Sequence, residues 1–214
     1  ENFMIKYRKM IVFFIIGVLL IGSGAIYTIL SAMGTDVQED VSDKTKTSVK
    51  KTRQDVSETD VNEQIESLIS EYLNAKLADD ISAINTYVND SEYIDEKKIL
   101  KQNQYVESYS NIKCIIKECK KKDTYRVYVY YDMKLFNIEQ QLPSLASYYV
   151  IRQDGDYKIF FGKIGSSLQK QIQNMDKSEE IVLLKDSVQK RMKDIIAKDE
   201  QVRLFLEGLK SAGY

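Results

Sequence analysis

Two cysteines, a handful of aspartates and 15 tyrosines are the side chains in this chain whose types could do chemistry. Histidine is absent, and so is tryptophan. Without histidine the chain lacks the side chain most used for proton transfer near neutral pH, which is also the commonest transition-metal ligand. Acid–base work would fall to carboxylates, and each candidate has a structural use. Asp79 and Asp80 sit at a helix junction, where capping accounts for them. Asp154 and Asp156 flank Gly155 in a hairpin-turn pattern. Asp132 alternates with Val129 and Tyr131 onto the opposite side of a strand, which predicts a carboxylate facing solvent. No convergent acid–base set results, and no phosphate loop, nucleophile elbow or nucleotide fingerprint occurs. The expectation is a protein with no catalytic residue and no cofactor.

The thiols are equally spare. Cys114 and Cys119 fall on one expected strand at an odd spacing, which points them to opposite faces, roughly 17 Å apart. A disulfide needs Cα atoms within about 7 Å, so an intrachain bond requires a broken strand. Cys114 shares parity with Ile112 and Ile116 and reads as a small core residue. Cys119 lies among lysines near a turn, where it could be exposed. A C-x4-C pair with no histidine and no third cysteine does not make a metal site, and none is expected. The tyrosines offer a binding reading. Tyr72 on a helix, with Tyr131 and Tyr149 on the sheet face assigned as buried, could line a hollow. Stacking plus hydroxyl hydrogen bonding would suit a peptide or sugar. The alternative is that the same rings fill the core, each hydroxyl reaching a partner at the rim.

The elements that would position these groups follow from periodicity. Val61, Ile65, Leu68, Ile69, Tyr72, Leu73 and Leu77 recur at helical spacing, so 61–78 reads as an amphipathic helix, with Asp60 and Glu63 placed as a capping box. A shorter helix carries Ile81, Ile84 and Val88, and a third helical stretch covers 95–104. The period then changes to that of strands over 109–119, 124–136, 144–153 and 157–161. "KKKD", a longer connection holding Pro143, and "DGD" separate them, which predicts four antiparallel strands. Val127, Val129, Tyr131, Met133 and Leu135 share one face; Tyr128, Tyr130, Asp132 and Lys134 share the other, as in a sheet with one buried side. Past Phe161 the pattern is helical again. Ile181, Leu184, Val188, Met192 and Ile195 form one stripe, and Val202, Phe205 and Leu209 a second, with a break near Lys198 and Asp199. Two packed helices are expected over 178–210, with the start of an uncompleted repeat as the alternative. Helices leading into an antiparallel sheet define an α+β order.

The N-terminal third carries the address. From Met10 to Leu30 no charged side chain occurs. As a helix, this run of about 21 residues extends ~31 Å, the thickness of a bilayer's hydrocarbon core. The expectation is a transmembrane helix over 10–33. The small residues Gly22 to Ala25 would suit signal cleavage, but apolar residues resume at Ile26, which favours a retained anchor. Lys6, Arg8 and Lys9 precede the run, and no Lys or Arg follows it before Lys44. That asymmetry puts a tail of residues 1–9 in the cytoplasm and everything after the span outside it. Residues 34–60 are Ser, Thr, Asp and Lys with isolated valines, the composition of a solvated stalk. The first residue, Glu1, is not a methionine, which suggests a processed product or a fragment. With 31 basic and 32 acidic residues, net −1, the chain has no charge excess to hold nucleic acid.

"SEYLNAKLADDISAINTYVND" (70–90) resembles the opening of nuclear transport factor 2-like, or cystatin-like cone, domains. In these a long helix with an Ala-rich end meets an Asp and a short second helix. The resemblance covers about 61–162 and implies a cone in which a curved four-stranded sheet wraps the helices around a hollow, followed here by a helical segment over 163–214. Enzymes of that superfamily generally place an Asp inside the cone, with His or Tyr partners, and histidine cannot contribute in this chain. The layout of tail, span, stalk and cone resembles the assembly-factor subunit of type IV secretion or conjugation systems. That resemblance implies a non-catalytic binding or assembly module of a bacterial cell envelope, single-pass, with the lipid bilayer and a protein partner or further copies of itself as partners. The alternative expectation is a stand-alone envelope sensor or ligand binder using the tyrosine-lined hollow, with a secreted enzyme as the third.

Overall fold

The computed structural model describes residues 58–211. The expected cytoplasmic tail, transmembrane helix and nearly all of the stalk lie outside the described residues, as do the last three residues of the chain. Among those described, no helix is long and apolar enough to cross a membrane.

Helix α1 spans Glu58–Leu77 and buries Ile65, Leu68, Ile69, Tyr72 and Leu73, the stripe expected from their spacing. It is already helical at Glu58, two residues ahead of the Asp60 expected to cap it. Asp79, at φ 53, turns the chain in the left-handed region that Asp tolerates. Asp80 then caps α2 (Ile81–Tyr87), its carboxylate accepting from the Ala83 amide at 2.9 Å. A short 3-10 turn (Ser91–Tyr93) leads to α3 (Glu96–Asn103).

Four strands follow, β1 (Val106–Glu118), β2 (Thr124–Leu135), β3 (Leu142–Gln153) and β4 (Asp156–Ile159), paired antiparallel in sequence order. Asp154 and Gly155, both at positive φ, make the tight turn between β3 and β4. β1 carries register shifts between Val106 and Ser108 and between Ser110 and Lys113, with Asn111 at φ 52 inside the second. Such bulges bend a strand and sharpen its twist, and here the sheet curls into a half-barrel. α1 packs on its inner face against Val127, Val129, Tyr131 and Met133.

The sheet is not one-sided. β2 and β3 are buried on both faces, and Leu142 to Val150 are buried without interruption. Three C-terminal helices follow, α4 (Ser166–Asp176), α5 (Glu179–Lys198) and α6 (Glu200–Ser211); α5 and the end of α4 cover the outer face, while Val202 of α6 joins the main core. Ile181 and Val188 of α5 pack on Tyr128 and Leu145, with Leu184, Ile115 and Tyr130 around them. Asp199 separates α5 from α6 and caps the latter through the Val202 amide at 3.0 Å. The expected break is therefore found, and α4 is an additional helix. Its Leu168, Ile172 and Met175 are only half buried, so its apolar signal is weak.

Candidate functional site

The inner face gathers the tyrosines. Tyr131 lies on the face shared with Val127 and Val129, and Tyr72 reaches in from α1; both are buried. Tyr149 does not join them. In the β2–β3 register Tyr149 stands opposite Arg126 and Tyr148 opposite Val127, so Tyr148 points inward and Tyr149 outward, against Phe160 at 5.8 Å. Sequence alone cannot decide between two adjacent tyrosines on a strand buried on both sides, where polar–apolar alternation is missing. Tyr109 of β1, unassigned from the sequence, completes the set. Tyr72 meets Tyr148 edge-on at 5.8 Å, and Tyr109 meets Tyr131 edge-on at 5.1 Å. Such pairs contribute about 0.5–1.5 kcal/mol beyond their burial.

The electrostatics of this face favour neutral phenols. Burial pushes Tyr109 up to about 12. It raises Tyr72, Tyr131 and Tyr148 further, and the hydroxyls lie close enough to one another that each would resist a neighbour's ionisation. Burial also pushes the Cys114 thiol up to about 12, with Glu66 adding to the effect. At the end of α1, Lys76 is buried and held down to about 8, first by burial and then by Lys98, with its Nζ 5.9 Å from the Tyr72 ring centroid. Ser144 stands opposite Tyr131 on the same face; it is 1 % exposed, and its Oγ has no hydrogen-bond partner. On this face Ser144 Oγ is thus a hydrogen-bonding group that the fold itself does not use.

The outer face is polar, as the strand alternation predicts, but it is covered rather than solvated. Asp132, expected in solvent, is only 4 % exposed, because α5 lies over it. Its carboxylate accepts from Asn111 Nδ2 at 2.8 Å, Tyr130 Oη at 2.8 Å and Arg191 Nη1 at 2.7 Å. Further along the same face, Arg126 is buried. Its Nε and Nη2 donate to Asp176 at 3.2 and 3.1 Å, and Nη2 also donates to Ser147 Oγ at 2.9 Å. Tyr128 Oη donates to the same Asp176 at 2.6 Å. With the ion pair between Lys117 and Glu180, these contacts fasten the end of α4 and the length of α5 to the sheet. Their role is structural: every carboxylate here already has its donors.

The cysteines are both free. Cys114 is half buried on the inner side, as expected. Cys119 is buried rather than exposed, its sulfur 3.9 Å from that of Met175, because α4 packs over the end of β1. Among the described residues, no group of His, Cys, Asp or Glu could hold a metal ion. No protein-family model matches the chain, and no curated protein matches it significantly.

Proposed function

We propose that this chain is a single-pass membrane protein that presents an α+β domain of the nuclear transport factor 2-like type on the outer side of a bacterial cell membrane, as a non-catalytic binding or assembly module. The observation that carries the reading is the uncharged run from Met10 to Leu30, with Lys6, Arg8 and Lys9 before it and a polar, apolar-poor stretch after it. Supporting it is the organisation of the domain, whose carboxylates on the outer sheet face are committed to ion pairs and whose inner face is lined by neutral phenols. A scaffold in a secretion or conjugation assembly is the form of this reading that the layout favours. Exposed Leu183 and Val182 on α5 and Leu204 on α6 are apolar side chains that a protein partner or a second copy would cover.

Protease added to intact spheroplasts tests the address. The exposed Lys120, Lys121 and Lys122 between β1 and β2 offer a trypsin site outside the elements. Cleavage from outside, with a cytoplasmic marker left intact, is expected; protection until lysis would reverse the topology. The second reading, an envelope sensor or ligand binder, is favoured by one observation only, the unpartnered Ser144 Oγ among the tyrosines of the inner face.

A further inference from the structure

We propose that the exposed face of α6 is a self-association surface, on which the same helix of a second copy of this chain docks antiparallel. This deepens the assembly reading of the domain and rests on it.

α6 is held by one face and open on the other. Val202 is buried, and Phe205 and Leu206 pack half-buried on the main core, which fixes the helix to the domain. Glu200, Arg203, Leu204, Glu207 and Gly208 recur at the same helical spacing on the opposite side. There Leu204 is 54 % exposed. Gln201, at the edge of this face, donates to the Asn137 carbonyl at 2.6 Å, so the loop between β2 and β3, which carries the exposed Phe136, abuts it.

Gly208 is an independent sign. Inside a helix, glycine is the least favourable residue after proline. A Cβ added at Gly208 would meet nothing within 4 Å, so the fold has no need of the missing side chain. Nor does this glycine end the helix, because its φ is not left-handed and α6 runs on to Ser211. Bare backbone one turn from an exposed leucine suits the close approach of a second helix.

The charges identify the occupant. Glu200 and Glu207 flank Arg203, whose guanidinium donates to them at 3.0 and 3.1 Å. Laid antiparallel on itself, the helix sets Arg203 opposite Glu207 of the second copy, twice over by symmetry, and Leu204 over the bare Gly208. Laid parallel, it would set like charges level. A face carrying both signs suits neither a polyanion nor an anionic lipid surface. A single 12-residue helix offers a small contact beside the roughly 800 Å² per partner of a standard interface, so free molecules would hold it weakly. Chains anchored in one membrane on stalks of equal length meet at high effective concentration, where a weak contact suffices.

The test reconstitutes the full-length chain, labelled at its N-terminus with donor or acceptor dye, into phosphatidylcholine vesicles and reads energy transfer against the level for randomly dispersed chains. The parent is expected to exceed that level. Arg203→Glu and Glu207→Arg, each alone, are expected to lose the excess, because like charges then meet across the contact. Donor-labelled Arg203→Glu mixed with acceptor-labelled Glu207→Arg is expected to regain it, a recovery that loss of the intrahelical pair in both variants does not predict. Gly208→Ala is expected to melt no lower than the parent and still lose the excess. Transfer at the random level in the parent, single variants or Gly208→Ala transferring like the parent, or a mixture that does not recover each overturns the α6 contact. A chain that fails to float with the vesicles fails the membrane reading instead, and the charge-swap recovery is then read in concentrated solution, where it decides the contact as before.

Discussion

Burial and partners pull the Asp132 carboxyl in opposite directions. Burial raises its pKa, but hydrogen bonds from Asn111, Tyr130 and Arg191 and the charge of Arg191 together lower it more, leaving it below the ordinary carboxylate value. A group whose folded pKa is depressed contributes stability that is present above its unfolded pKa, near about 3.9, and is lost as pH falls through the folded value. Asp132→Asn keeps the shape but not the charge. At neutral pH it is expected to cost about 1–3 kcal/mol in urea unfolding, with the midpoint lowered and the slope unchanged. The gap between parent and variant should narrow from about pH 4 downward, as the parent's carboxylate takes up its proton. A gap that stays constant across that acid range would show that the charge is not what Asp132 contributes.

At the scale of the element, α5 decides whether the outer sheet face is core or surface. Ile181 is fully buried against Tyr128 and Leu145, whereas its neighbour Leu183 is 61 % exposed on the far side of the helix. Ile181→Ala is expected to destabilise by about 2–4 kcal/mol. Leu183→Ser should stay within about 0.5 kcal/mol. Equal effects of the two substitutions, read from denaturant midpoints, would mean that α5 does not dock as described. The same helix marks the limit of what is legible in the sequence. α1 and α2 are legible because their apolar residues recur at helical spacing, and the four strands because they are rich in β-branched and aromatic residues and because Asp154 and Gly155 punctuate the last hairpin. α5 itself is legible as a helix from Ile181, Leu184, Val188 and Met192. What it covers is not, since a helical stripe records that a partner surface exists and not which one. That missing partner is why strand alternation alone sends Asp132 to solvent. It is also why β3, buried from Leu142 to Val150, carries no alternation from which to choose between Tyr148 and Tyr149. The inner-face site is therefore half legible. Tyr72 and Tyr131 follow from parity, but Tyr148, Tyr109 and Ser144 need the cross-strand register.

At the scale of the whole molecule, the proposed address would put two cysteines into an oxidising compartment, where thiols that can meet tend to pair. The fold keeps them apart and unreactive. Cys114 lies within β1 on the inner side, and Cys119 follows the strand's end under α4, beside Met175. Burial raises the pKa of both thiols, Cys114 to about 12, so almost no thiolate is present at neutral pH. Because thiolate is the reacting form, neither residue should oxidise or alkylate while the domain is folded. Reductant is accordingly expected to leave the melting temperature unchanged. A thiol-alkylating reagent should add no mass to the native protein and two adducts after denaturation. A native mass lower by two hydrogens, or a melting temperature that drops with reductant, would require β1 to open between Cys114 and Cys119 and would undo the register on which the inner face depends. The converse also holds: a domain indifferent to redox conditions can fold identically on either side of a membrane, so its stability does not report its compartment. The decision about compartment then rests with the flanks of the apolar run, Lys6, Arg8 and Lys9 on one side and Thr35 to Asp43 on the other.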